Sequence, residues 1–137
     1  MTGRTIPANV TVRKFTQYEL RQLYADSRFM VMPLEDVNFQ AGITAMLEAM
    51  AMERAVVCSR VLGQTDAVKD GVNGRYAPAG DAPALRAAIA RLLAEPEEAE
   101  RLGANARRLI EREMNLDRYV ERLTKIVDDT ITSATAS

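Results

Sequence analysis

Two short runs carry no charged residue: Phe29-Met-Val-Met32 and Ala55-Val-Val-Cys58. Between them Ile43, Met46, Leu47 and Met50 recur at the spacing of one helix face. Strands this apolar are covered on both faces, as in a parallel sheet whose strands are joined by helices. The pattern predicts βαβ units with right-handed crossovers and an α/β, Rossmann-like fold. Residues 10–15, Val-Thr-Val-Arg-Lys-Phe, are rich in β-branched residues and read as a further, alternating strand, followed by a helix over 18–24. After the turn pairs Asp70-Gly and Asn73-Gly, Arg75-Tyr-Ala-Pro78 reads as another strand. The expected sheet is parallel, with about four strands.

Helices follow. Asp81 is placed to cap one whose stripe is Leu85, Ala88, Ile89, Leu92 and Leu93, and Pro96 is expected to end it. A second runs over 97–113 with Ala99, Leu102, Ala106 and Ile110 inward, and Asp117 is expected to cap a last one carrying Val120, Leu123 and Val127. No linker divides the chain, so 1–131 read as one partial domain and 132–137 as a frayed, disordered tail.

Composition excludes several kinds of chemistry. Histidine is absent, which removes imidazole acid–base catalysis, histidine metal ligands and any Ser-His-Asp triad, and no metal is expected. A net charge of −1, no tryptophan and 5% aromatic residues give no footprint for nucleic acid. The arginines between Arg101 and Arg112 read as a solvated helix face. No apolar run is long enough to span a bilayer, and residues 1–7 lack the apolar core of a signal peptide. The single cysteine, Cys58, reads as a buried small hydrophobe and fits a reducing cytoplasm. Met46, Met50 and Met52 read as helix core.

Polar groups converge on the segment after the first apolar run, Pro33-Leu-Glu-Asp-Val-Asn-Phe-Gln-Ala-Gly-Ile-Thr-Ala-Met-Leu-Glu48. In open parallel sheets ligands bind at the carboxyl ends of strands, where free amides and the helix dipole favour phosphate. Gly42 would allow close backbone approach, Gln40 could bond sugar hydroxyls, and the Glu48 carboxylate could accept from a vicinal diol such as a ribose. The loop Gly63-Gln-Thr-Asp66 borders the same end of the sheet, with Asp66 placed to cap a short helix after it.

A set of ordered motifs carries a resemblance: Tyr24-Ala-Asp-Ser27, Leu47-Glu-Ala-Met-Ala51 followed by Ala55-Val-Val57, Asp70-Gly-Val-Asn-Gly74, Pro78-Ala-Gly-Asp81, Leu92-Leu-Ala-Glu-Pro96 and Leu102-Gly-Ala-Asn-Ala106. From Asn9 to about Arg122 the chain resembles the end of the C-terminal, donor-binding domain of retaining GT-B glycosyltransferases, the glycosyl transferases group 1 family. The resemblance implies a nucleotide diphosphate sugar as donor substrate and no further cofactor. The family's motif has two glutamates separated by seven residues. Glu48 matches the ribose-binding second one, and Gln40 stands in place of the first, which contacts the transferred sugar. The backbone of Ala41, Gly42, Ile43 and Thr44 would bind sugar and phosphate oxygens. Gln40 cannot supply the negative charge of the family's glutamate near an oxocarbenium-like centre. Glu53 and Ala55 stand where the family commonly has Gly and Pro.

The family's diphosphate-binding Arg and Lys and its acceptor domain would precede Asn9. The resemblance therefore implies a partner: the N-terminal part of the enzyme, a separately encoded subunit, or a second copy forming a homodimer. Without those elements the expected run of residues 10–15 would pair beside Phe29-Met-Val-Met32. An alternative is a non-catalytic module that keeps the fold.

Overall fold

The computed structural model describes residues 5–36 and 41–135. Its sheet has three parallel strands, β1 (Phe29–Met32), β2 (Ala55–Arg60) and β3 (Gly74–Pro78), in the order β1-β2-β3. Phe29 faces Ala55 across the first pair, and Val56 faces Gly74 across the second. Helices α1 (Gln17–Asp26), α2 (Ile43–Ala51), α3 (Ala82–Ala94), α4 (Pro96–Arg112) and α5 (Leu116–Thr135) complete the described residues, with a short 3-10 turn at Leu62–Gln64.

The central strand explains the core. Ala55, Val56, Val57 and Cys58 are all fully buried, as an uncharged run in the middle of a parallel sheet requires. Val56 and Cys58 pack on one face with Met32, Met46, Met50 and Ala106. Ala55 and Val57 pack on the other with Leu92, Ala99 and Leu102. Helices α2 and α3 thus cover opposite faces, and α4 reaches both clusters.

The sheet has three strands where four were expected. Residues 10–15 form no strand, and Val12 is 73% exposed. Alternation records which side chains share a face, but a strand exists only when a neighbour takes its amides and carbonyls. Three consecutive parallel strands in the order β1-β2-β3 fit one half of a doubly wound sheet, and residues 10–15 do not add to it. The chain instead turns straight into α1. Thr16 Oγ1 accepts from the Glu19 amide at 3.3 Å, and the Glu19 carboxylate accepts from the Thr16 amide at 2.8 Å. This is a reciprocal capping box. The edge of β1 away from β2 is unpaired among the described residues.

Asp81 caps α3 as expected, its carboxylate accepting from the Ala84 amide at 2.9 Å. Pro96 does more than stop α3: it opens α4, where its missing N–H costs no hydrogen bond. The last helix is capped by Asn115, whose Oδ1 accepts from the Arg118 amide at 3.0 Å, and not by Asp117. Helix α5 continues to Thr135, through residues 132–135 of the expected frayed tail.

Glu53, in the turn from α2 into β2, has φ 62°, the left-handed conformation that a glycine adopts without strain. The turn is held from outside. The Arg107 guanidinium donates to the Ala51 carbonyl at the end of α2. Gly103 lets α4 lie directly on the Glu53 carbonyl, a position that any Cβ would invade.

Candidate functional site

Helix α2 starts at the carboxyl end of β1, and the 3-10 turn leaves the carboxyl end of β2 beside it. Two hydrogen bonds tie these connections together. The Leu34 amide donates to Ser59 Oγ at 2.9 Å, and Gln64 Nε2 donates to the Ala41 carbonyl at 2.6 Å. The loops that the sequence places at one end of the sheet do meet there.

Gly42 is the N-cap of α2 with φ 70°, and no side chain caps the helix among the described residues. The first-turn amides, which have no partner within the helix, form the positive end of its dipole. Gly42 is needed for a reason other than ligand approach. Its φ of 70° is the left-handed conformation that glycine adopts without strain, and a Cβ there would also press on the flexible end of the Met32 side chain. Ile43 turns its side chain to that core, whereas Thr44 is exposed. Gln40 lies outside the described residues.

Glu48 is exposed on α2, about 7.5 Å along the helix axis from Ile43. Its carboxylate accepts from the Tyr24 hydroxyl at 3.3 Å. Burial, and then the nearby Glu48 charge, push the Tyr24 phenol above its usual value, so it stays a donor. The two residues open on a cavity of about 370 Å³ between α1 and α2, also lined by Gln17, Leu20 and Arg21. That volume lies in the range of small-ligand sites. A separate hollow of about 290 Å³ lies at the strand ends, between Pro33, Ser59, Pro78 and Asp81. The candidate site therefore has an amide-rich helix start and, about 7.5 Å further along the same helix, a carboxylate beside a cavity that runs on to Ala51 and Met52.

Tyr24 and Gln64 join the candidate site, although no role for either side chain is assigned from sequence. Tyr24 lies within the Tyr24-Ala-Asp-Ser27 motif, but nothing in that motif shows that its hydroxyl reaches Glu48. Gln64 lay in a loop singled out as bordering the site, with no local sign that its side chain is fully buried. Asp66 caps nothing: the 3-10 turn precedes it, and no helix follows before β3. Among the described residues no cluster of His, Cys, Asp and Glu is placed to hold a metal, and no helix is long and apolar enough to cross a membrane.

Residues 3–95 match the family model described as Glycosyl transferases group 1. The alpha-D-kanosaminyltransferase of Streptomyces kanamyceticus is 30% identical over 105 residues, 76% of this chain and 26% of that protein. The sucrose-phosphate synthase of Thermosynechococcus elongatus is similar in structure with a TM-score of 0.71 and 30% identity, over 81% of this chain and 27% of the other. Anabaena HepE, solved in complex with UDP-glucose, shares the fold at a TM-score of 0.60 and 21% identity, over 84% and 30% of the two chains. The chain thus spans between a quarter and a third of the length of these relatives. Matched by the family model over more than half its length, with the parallel α/β architecture of GT-B enzymes, this chain belongs to the glycosyl transferases group 1 family.

Proposed function

We propose that this chain supplies the donor-binding part of a glycosyltransferase that moves a hexose-type sugar from a nucleotide diphosphate sugar to an acceptor. The observation that carries the reading is the pairing of the uncapped α2 start with Glu48 and its cavity. The Ala41–Thr44 backbone receives phosphate and sugar oxygens. The Glu48 carboxylate accepts from the ribose diol, with the Tyr24 hydroxyl holding it toward the cavity. Gln40 bonds the hydroxyls of the transferred sugar. The fold accommodates such a donor in the Anabaena protein. Positioning and charge stabilisation by the rest of the enzyme complete the reaction, in a cytoplasmic setting that suits the lone thiol of Cys58. The free edge of β1 and the bare apolar stripe of α5 are covered in the working enzyme, by further enzyme chain or by a second copy.

The test is Glu48→Ala. Loss of a hydrogen bond to a charged group weakens donor binding by about 1–3 kcal/mol, read by titration with UDP-glucose and other nucleotide sugars. The fold is retained, because Met46, Ala49 and Met50 still fill the buried face of α2. Unchanged donor affinity would remove Glu48 from the site.

A further inference from the structure

Gln64 is a long amide with no exposure at all, on a surface connection between two strands. Its side chain reaches out of its own loop to the Ala41 carbonyl at 2.6 Å. Its backbone is held from the other side. The Tyr76 hydroxyl, on β3, lies 3.0 Å from the Gln64 carbonyl and 2.8 Å from that of Val68, sharing its proton between them. The amides of Ala67 and Val68 donate to the same Gln64 carbonyl at 3.2 and 3.0 Å. Gln64 is thus fixed to the sheet before it touches the α2 start.

The geometry of one peptide unit gives this contact a direction. In a trans peptide the carbonyl of one residue and the N–H of the next point to opposite sides. With the Ala41 carbonyl drawn inward to Gln64, the N–H of Gly42 is turned away from the core. Gly42 itself is exposed, and its positive φ lets the chain enter α2 from that orientation. Thr44, the next exposed residue of the first turn, follows from it.

We infer that Gln64 is a positioning residue: it orients the Ala41–Gly42 peptide so that the Gly42 amide faces the diphosphate of a nucleotide ligand. The inference rests on the donor-site reading above and adds to it the residue that organises the phosphate end. Gln64 does not touch the ligand. It acts through the Ala41 carbonyl, and it couples the loop after β2 to the phosphate position of the loop after β1. Rotation of that one peptide would replace an outward donor by an outward carbonyl, which repels a phosphate.

The informative variant is Gln64→Met, which keeps the buried length and removes the donor. Backbone NMR of the 137-residue chain, titrated with UDP, follows the Gly42, Ile43 and Thr44 amides. In the wild-type chain UDP shifts these amides. In Gln64→Met we expect UDP affinity to fall ~10-fold or more. The order parameters of Ala41 and Gly42 without ligand should drop from about 0.85 to below about 0.6. The denaturation midpoint should stay close to wild type, which a purely structural glutamine would not allow. No UDP response in the wild-type chain overturns the donor reading and this inference with it. A wild-type response that Gln64→Met leaves intact overturns only the role of Gln64. Should the variant not fold, the through-hydrogen-bond coupling from Gln64 Nε2 to the Ala41 carbonyl in wild type decides. Its presence, strengthened by UDP, supports the inference, and its absence ends it.

Discussion

Helices α4 and α5 follow one another and carry the same kind of apolar stripe, yet they have opposite fates. α4 buries Ala99, Leu102, Gly103 and Ala106, whereas α5 buries nothing. Leu116, Tyr119, Val120, Leu123, Ile126 and Val127 all lie exposed along α5. The difference lies in the neighbours. α4 meets β2 and the end of α2 through a glycine, a short alanine face and a fully buried leucine. α5 leaves that sheet behind. An amphipathic pattern therefore establishes a helix and its sticky face, while the energy of that face depends on whether a partner surface lies within reach.

The sharpest break between the two helices is a matched pair of truncations. Leu102→Ala removes a fully buried side chain under β2 and should cost about 2–5 kcal/mol in urea denaturation. A cost below 1 kcal/mol would show that α4 is as loosely held as α5.

Next in size is the ion cluster that pins α4. Glu98, with a side chain only 9% exposed, accepts from the Arg75 guanidinium on β3 and from Arg91 Nε on α3 at 2.8 Å. Glu98→Gln should cost about 1.5–3 kcal/mol. The cluster also has a pH signature. Burial raises the Glu98 carboxyl, but its hydrogen bonds to Arg75 and Arg91 outweigh that effect and leave it below the usual 4.5. A lowered folded value means stability present in full above about 4.5, and lost as pH falls through the folded value. Acid unfolding profiles of Glu98→Gln and wild type should therefore converge below that value. Parallel profiles would remove Glu98 from the acid response.

Smaller, and opposite in sign, is the turn on which α4 rests. Glu53→Gly relieves the left-handed backbone and should stabilise by about 1 kcal/mol, seen as a raised thermal midpoint. A loss of stability would mean that the Glu53 side chain has a role its conformation does not reveal.

The smallest effect sharpens the contrast most. Leu123→Ala, on the bare stripe of α5, should change the stability of the lone chain by less than about 0.5 kcal/mol. A cost near that of Leu102→Ala, rising with protein concentration, would show that a second copy covers α5.

Sequence made the three strands legible because Phe29–Met32, Ala55–Arg60 and Gly74–Pro78 join an apolar run or a turn signal to their place between helices. It also placed the Asp81 cap, a bond spanning three residues. What it misplaced needed a partner to decide it. Residues 10–15 have the period of a strand without a neighbour, and Asn115 and Asp117 are equivalent as caps until the bond to Arg118 distinguishes them. The same division holds at the site. Glu48 and the α2 start stand out in the linear order, but the Tyr24 contact with Glu48 spans 24 residues and the Gln64 contact with Ala41 spans 23. Such contacts arise from the order in which strands assemble, which no local pattern records.

Cys58 sits at the middle of the central strand, with no exposure and its thiol pushed up to about 12 by burial and then by the Asp70 charge. At neutral pH it is protonated and out of reach of any alkylating reagent. Modification must wait for the helices that cover this face of the sheet, α2 and α4, to lift from β2, and as the only cysteine in the chain it yields a single, unambiguous adduct. When closure is faster than the chemistry, the alkylation rate relative to an unprotected thiol gives the free energy of uncovering that face of the sheet. Repeated with UDP present, that rate would report how far an occupied site at the strand ends stabilises the strands beneath it.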